Sequence, residues 1–97
     1  MSFQKTVTED RRLSLLLVLA QSQGYQANGF LLRDAIGDIY GHNASIDQVT
    51  GDIAWLAEQG LVTSRVIGEV TLATMTARGA DVAAGRASVP GVKKPTP

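Results

Sequence analysis

From Leu13 to Leu56 the apolar residues recur at three- and four-residue intervals, and after Gly60 they continue in β-branched runs instead. The first pattern belongs to helices with one face on a core, the second to strands. Leu13, Leu16, Leu17 and Ala20 form a helical stripe, which predicts a first helix starting near Thr8–Asp10 and ending before Gly24. Glu9 and Asp10 suit such a start, because acidic side chains favour the positive end of the helix dipole. Leu15, Val18 and Leu19 add a second apolar face to the same helix. Either packing within one small domain or a homodimer contact through these three residues would cover it, and the homodimer is the partner expected here.

A second helix is predicted over Asn28–Tyr40, with Asn28 as N-cap and Leu32, Ala35, Ile36 and Ile39 turned inward. Gly41 ends it. A third opens at Ser45, where Gln48 completes a capping box, and runs to Gln59, with Ile46, Val49, Ile53 and Leu56 as its core residues and Gly60 as its stop. Gly51 inside this helix costs about 1 kcal/mol relative to alanine, which is either bland tolerance or room for another backbone or a partner to approach closely. Leu61–Ile67 and Val70–Met75, separated by Gly68-Glu69, read as a β-hairpin. Thr76 then caps a short last helix through Ala84, closed by Gly85. The expected organisation is one domain over residues 1–86 and a mobile, basic, proline-containing tail over 87–97.

Composition narrows the function. With 97 residues there is room for one modest core, and 44% hydrophobic against 19% charged residues is enough to order it. Nine basic and nine acidic side chains cancel, so attraction to nucleic acid or to an anionic membrane has to be local. The absence of cysteine excludes disulfides, thiolate metal sites and thiol nucleophiles, and fits a reducing compartment. Arg11-Arg12 ahead of Leu13–Ala20 imitates a twin-arginine signal, but Glu9 and Asp10 are the wrong charge for one, and the run falls short of the ~20 residues that span a bilayer. A buried first helix accounts for it, and the expectation is a cytoplasmic protein with no membrane partner.

Three helices, a hairpin and a small closing helix, mainly α with little β, describe the winged-helix variant of helix-turn-helix, with Gly41–Ala44 as the turn. Trp55-Leu56-Ala57-Glu58-Gln59-Gly60-Leu61-Val62 resembles the end of the third helix and start of the wing in many bacterial winged-helix regulators. Thr74-Met75-Thr76-Ala77-Arg78-Gly79 resembles the strand end and threonine-capped helix start that come after the wing in the same regulators. With Asp10-Arg11-Arg12 at one end and Val89-Pro90-Gly91-Val92-Lys93-Lys94-Pro95 at the other, the chain resembles a small family of Mu-like prophage proteins along nearly its whole length. That resemblance implies a winged-helix, regulator-like fold and origin in a phage or prophage, acting in the cytoplasm of a bacterial host. It does not assign an activity.

Winged-helix DNA binders place the third helix in the major groove and draw affinity from arginine and lysine at phosphates. Here residues 45–59 hold no cation, and Asp47, Asp52 and Glu58 give the segment a formal charge of minus three on faces left free by the apolar stripe. Gln48 and Thr50 are its candidates for contact with double-stranded DNA. Arg65 in the wing and Lys93 and Lys94 in the tail are the candidates for minor-groove and phosphate contacts, while Arg11, Arg12, Arg33 and Arg86 serve surface solubility as readily. The competing reading is a protein-interaction or assembly module, docking on a phage or host protein through the acidic third helix. An enzyme is not indicated. His42 is the single histidine and reads as turn or cap chemistry, Ser45 is taken up as a cap, and no metal set, phosphate loop, cofactor or small-molecule substrate site is apparent. Trp55, flanked by aliphatic residues, reads as core or interface.

Overall fold

The computed structural model describes residues 2–96. Its first helix, α1 (Phe3–Gln21), begins well before the expected Thr8–Asp10 because Ser2 is the N-cap, its Oγ accepting from the Lys5 amide at 3.1 Å. A single 3₁₀ turn (Gln23–Tyr25) comes next, in which Gly24 (φ +68°) and Tyr25 (φ +56°) reverse the chain into β1 (Gln26–Asn28). Then come α2 (Gly29–Tyr40), α3 (Ile46–Glu58), the strands β2 (Val62–Ile67) and β3 (Val70–Met75), and α4 (Ala77–Ala83). The molecule is mostly helical, with one small three-stranded antiparallel sheet in the order β1-β3-β2. No helix among the described residues is long and apolar enough to cross a membrane.

The caps set the helix starts. Asn28 accepts from the Leu31 amide at 2.8 Å and opens α2, which Gly41 closes in the left-handed conformation (φ +75°). Ser45 and Gln48 form a reciprocal capping box that opens α3. Thr76 caps α4 through the Gly79 amide. Gly79 has no room for a side chain, since a Cβ there would overlap the Leu61 carbonyl oxygen, so α4 can sit directly on the approach to β2.

In the sheet, β1 pairs Ala27 with Ala73, and β2 pairs Val62 with Met75 and Arg65 with Leu72. The alternation of a strand puts Ala27, Val62, Ala73 and Met75 on the buried face and Thr63, Arg65 and Ile67 on the other. Beyond Val62 every residue of β2 is exposed, so the hairpin projects past the core.

Three expectations are corrected. Leu15 and Leu19 are fully buried among the chain's own residues, so of the homodimer contact expected through Leu15, Val18 and Leu19 only the half-buried Val18 keeps any free surface. Other helices and the sheet pack on α1, which is how a small domain covers a helix whose second half is apolar on more than one face. Ile39 points outward, 63% exposed, rather than into the core with Leu32 and Ile36. Residues 87–96 are no mobile tail: Val89 and Val92 are buried, and the Lys93 amide donates to the Glu9 carbonyl at 3.2 Å, so this strap lies along α1. Pro97 lies outside the described residues.

Candidate nucleic-acid interface

Val49, Ile53 and Leu56 anchor α3 in the core. At 100° per residue these positions leave Asp47, Gly51, Ala54 and Glu58 facing outward, all exposed. Among the described residues a Cβ at Gly51 would meet nothing within 4 Å, so the backbone of α3 is open at its middle. Gln48 is exposed but its Oε1 accepts from the Ser45 amide at 3.0 Å, which holds the side chain in the cap instead of directing it outward. Thr50 is half-buried on the flank.

Asp52 is not on the free face. It is 4% exposed and accepts from Arg11 Nε at Oδ2 and from Arg12 Nε at Oδ1, the latter at 3.2 Å. Arg12 also donates to the Gly91 carbonyl at 3.1 Å and lies 3.9 Å above the Trp55 ring centre. One carboxylate therefore joins α1 to α3, and Arg12 joins both to the strap. A Cβ on Gly91 (φ +99°) would stand 2.6 Å from the Trp55 ring, so glycine is what lets the strap reach it. The acidity presented by α3 consequently falls to Asp47 and Glu58.

A second ionic junction lies one residue earlier on α1. Asp10 bonds His42 Nε2 at 2.7 Å and Lys93 Nζ at 3.2 Å, tying α1 to the α2–α3 turn and to the strap. Partial burial opposes ionisation of Asp10, but the hydrogen bonds from His42 and Lys93 and their charges outweigh it and hold its pKa below the ordinary 3.8. His42 takes part in the cap of α2 through its amide, which donates to the Ile36 carbonyl at 3.1 Å, and its side chain in addition bridges to α1. Among the described residues no group of three histidine or acidic side chains could hold a metal ion.

The cations sort accordingly. Arg11 and Arg12 are held in the buried pair with Asp52, and Lys93, Arg33 and Arg86 form exposed pairs with Asp10, Asp34 and Asp81. Among the described residues, Lys5, Arg65, Arg78 and Lys94 take part in no ion pair, and all four are exposed. Of the sequence candidates, Arg65 and Lys94 are therefore unpaired, and Lys93 is engaged by Asp10. Lys5 is no candidate from the sequence, because a helix starting at Thr8–Asp10 leaves it outside. Ser2, a good N-cap three residues before Lys5, is the signal that places it on α1.

No protein-family model matches the chain. Its fold is similar to that of the solved RosR of H. salinarum grown from NaBr, with a TM-score of 0.67 at 17% identity over 76% of this chain and 66% of that one. The complex structure of hsRosR-S1 gives 0.65 at 18% identity over 75% and 63%. The chain thus spans less than two thirds of the length of these solved proteins, and the likeness defines a class of fold. By sequence it is 50% identical over 91 residues to the uncharacterized protein gp26 of Escherichia phage Mu, covering 94% of this chain and 93% of gp26. An uncharacterized protein of Haemophilus influenzae is 46% identical over 63 residues, 65% of this chain and 60% of that protein. The chain belongs to the family of phage Mu gp26.

Proposed function

We propose that this is a winged-helix DNA-binding protein of phage origin, regulator-like, acting in the bacterial cytoplasm, with α3 entering the major groove and the β2–β3 hairpin serving as the wing. The observation that carries the reading is the outward face of α3: it bears no large apolar side chain, is open to its backbone at Gly51, and stands beside a projecting hairpin whose Arg65 is exposed and unpaired. The fold it shares with RosR is consistent with this. Withdrawal of Asp52 into its arginine pair removes one of the three charges that opposed it.

Titration of labelled duplex DNA at several salt concentrations tests the reading. Association should weaken linearly in log–log form, and R65A should lower the slope by about 1. No association at low salt would end it. One observation favours a protein partner instead: Asp47 and Glu58 are the only charges that α3 turns outward. Substituting both by lysine separates the two, since DNA binding should tighten and a contact with a basic protein should fail. Asp52 is unsuited to that test because it holds the fold together.

A further inference from the structure

The strap and the first turns of α1 border an open groove of about 870 Å³, lined by Lys5, Thr8, Arg12, Trp55, Ser88 and Lys94 among others. Charge is distributed unevenly toward it. Lys5, Arg12 and Lys94 line it against one carboxylate, Glu9. The chain as a whole is neutral, so this margin holds an excess of two positive charges and the rest of the molecule an equal excess of acid. Arg12 is paired with Asp52, and among the described residues neither Lys5 nor Lys94 is in an ion pair, so their two charges exceed the single charge of Glu9. They come from separate pieces of chain, one from α1 and one from the strap, and converge on one cleft.

Like charges brought together without a partner repel, and an anionic ligand with charges spaced along it relieves that repulsion. Trp55 belongs to α3, so the groove adjoins the helix that lacks cations of its own. We infer that the groove is a second contact for duplex DNA, in which Lys5 and Lys94 each neutralise a backbone phosphate beside the major-groove helix. The inference rests on the DNA-binding reading above. It assigns a task to the docked strap: Val89 and Val92 in the core, Lys93 on Asp10 and Gly91 against Trp55 hold Lys94 in place, where a free tail would not.

The test uses the full chain and fluorescence anisotropy of a labelled random-sequence duplex over a range of salt. K5A and K94A should each lower the log–log salt slope by about 1 and the double variant by about 2, with R65A as the independent wing control. G91A, which crowds the Trp55 ring, should displace the strap and match K94A although Lys94 is still present, and adding K94A to it should change nothing further. Circular dichroism establishes that each variant is folded, and K5A/K94A, altering exposed side chains alone, carries the test if G91A is not. Binding by the wild type with an unchanged slope in K5A/K94A overturns the clamp and leaves the DNA reading standing. Absence of binding by the wild type at low salt overturns both.

Discussion

The two neighbours of α3 are built in opposite ways. On the strap side, Arg11, Arg12, Asp52, Trp55 and Gly91 interlock, each answering another. On the wing side, Arg65, Val66 and Ile67 project from β2 with Val66 70% exposed. Charge within that interlock is structural, because a carboxylate taken out of water is tolerable only when its cations come with it, while Lys5 and Lys94 at its edge stay unpaired. Charge on the wing side is surplus to the fold and free for a ligand. A formally neutral chain can therefore still hold local binding charge, and counting residues does not reveal which arginines are available.

Perturbing the two sides should give unequal effects. The largest is expected for Asp52→Ala, which strands two partly buried guanidinium groups: urea unfolding should show a loss of about 3–5 kcal/mol. A loss under about 1 kcal/mol would mean that the junction is solvated and that the contrast fails. Gly91→Ala should cost about 1–3 kcal/mol through overpacking against Trp55, with a change in tryptophan emission marking the site.

Acid should act on the same side. Because the pKa of Asp10 is lowered on folding, its ionised form contributes stability that is fully present above the unfolded value near 3.8 and is lost as pH falls through the folded value. Unfolding free energy measured from neutral pH downward should decline in that window, and Asp10→Asn should flatten that part of the decline. The smallest effect belongs to the wing. Arg65→Ala and Val66→Ser should each stay within about 0.5 kcal/mol of wild type in the same unfolding assay, even where DNA binding changes.

Much of the backbone is legible without coordinates. Asn28, the Ser45–Gln48 pair and Thr76 announce helix starts through short-range hydrogen bonds, and Gly68-Glu69 marks the hairpin because the residues flanking it are β-branched. The short strand β1 is not legible: three residues, Gln26–Asn28, have no periodicity to show, and they are a strand only because β3 lies alongside. The strap is hidden in the same way, because two valines among prolines and glycines look too sparse to dock. Asp52 reads as surface acid, since helical spacing cannot show that Arg11 and Arg12, some forty positions away, turn toward it. Of the site, Arg65 and Lys94 are legible as exposed cations. That Lys93 is paired with Asp10, that Gln48 is held in its cap and that Lys5 and Lys94 line one groove are not.

By itself, the sequence determined where the helices from α2 onward begin, that a hairpin comes after α3, and that α1 is apolar on more than one face. These depend on neighbours within a turn or two of chain, where periodicity and caps act. Only the tertiary structure decided which charges are consumed and which remain. Ion pairing depends on distance in space, and the pairs that matter here join residues 32 to 83 positions apart in the chain.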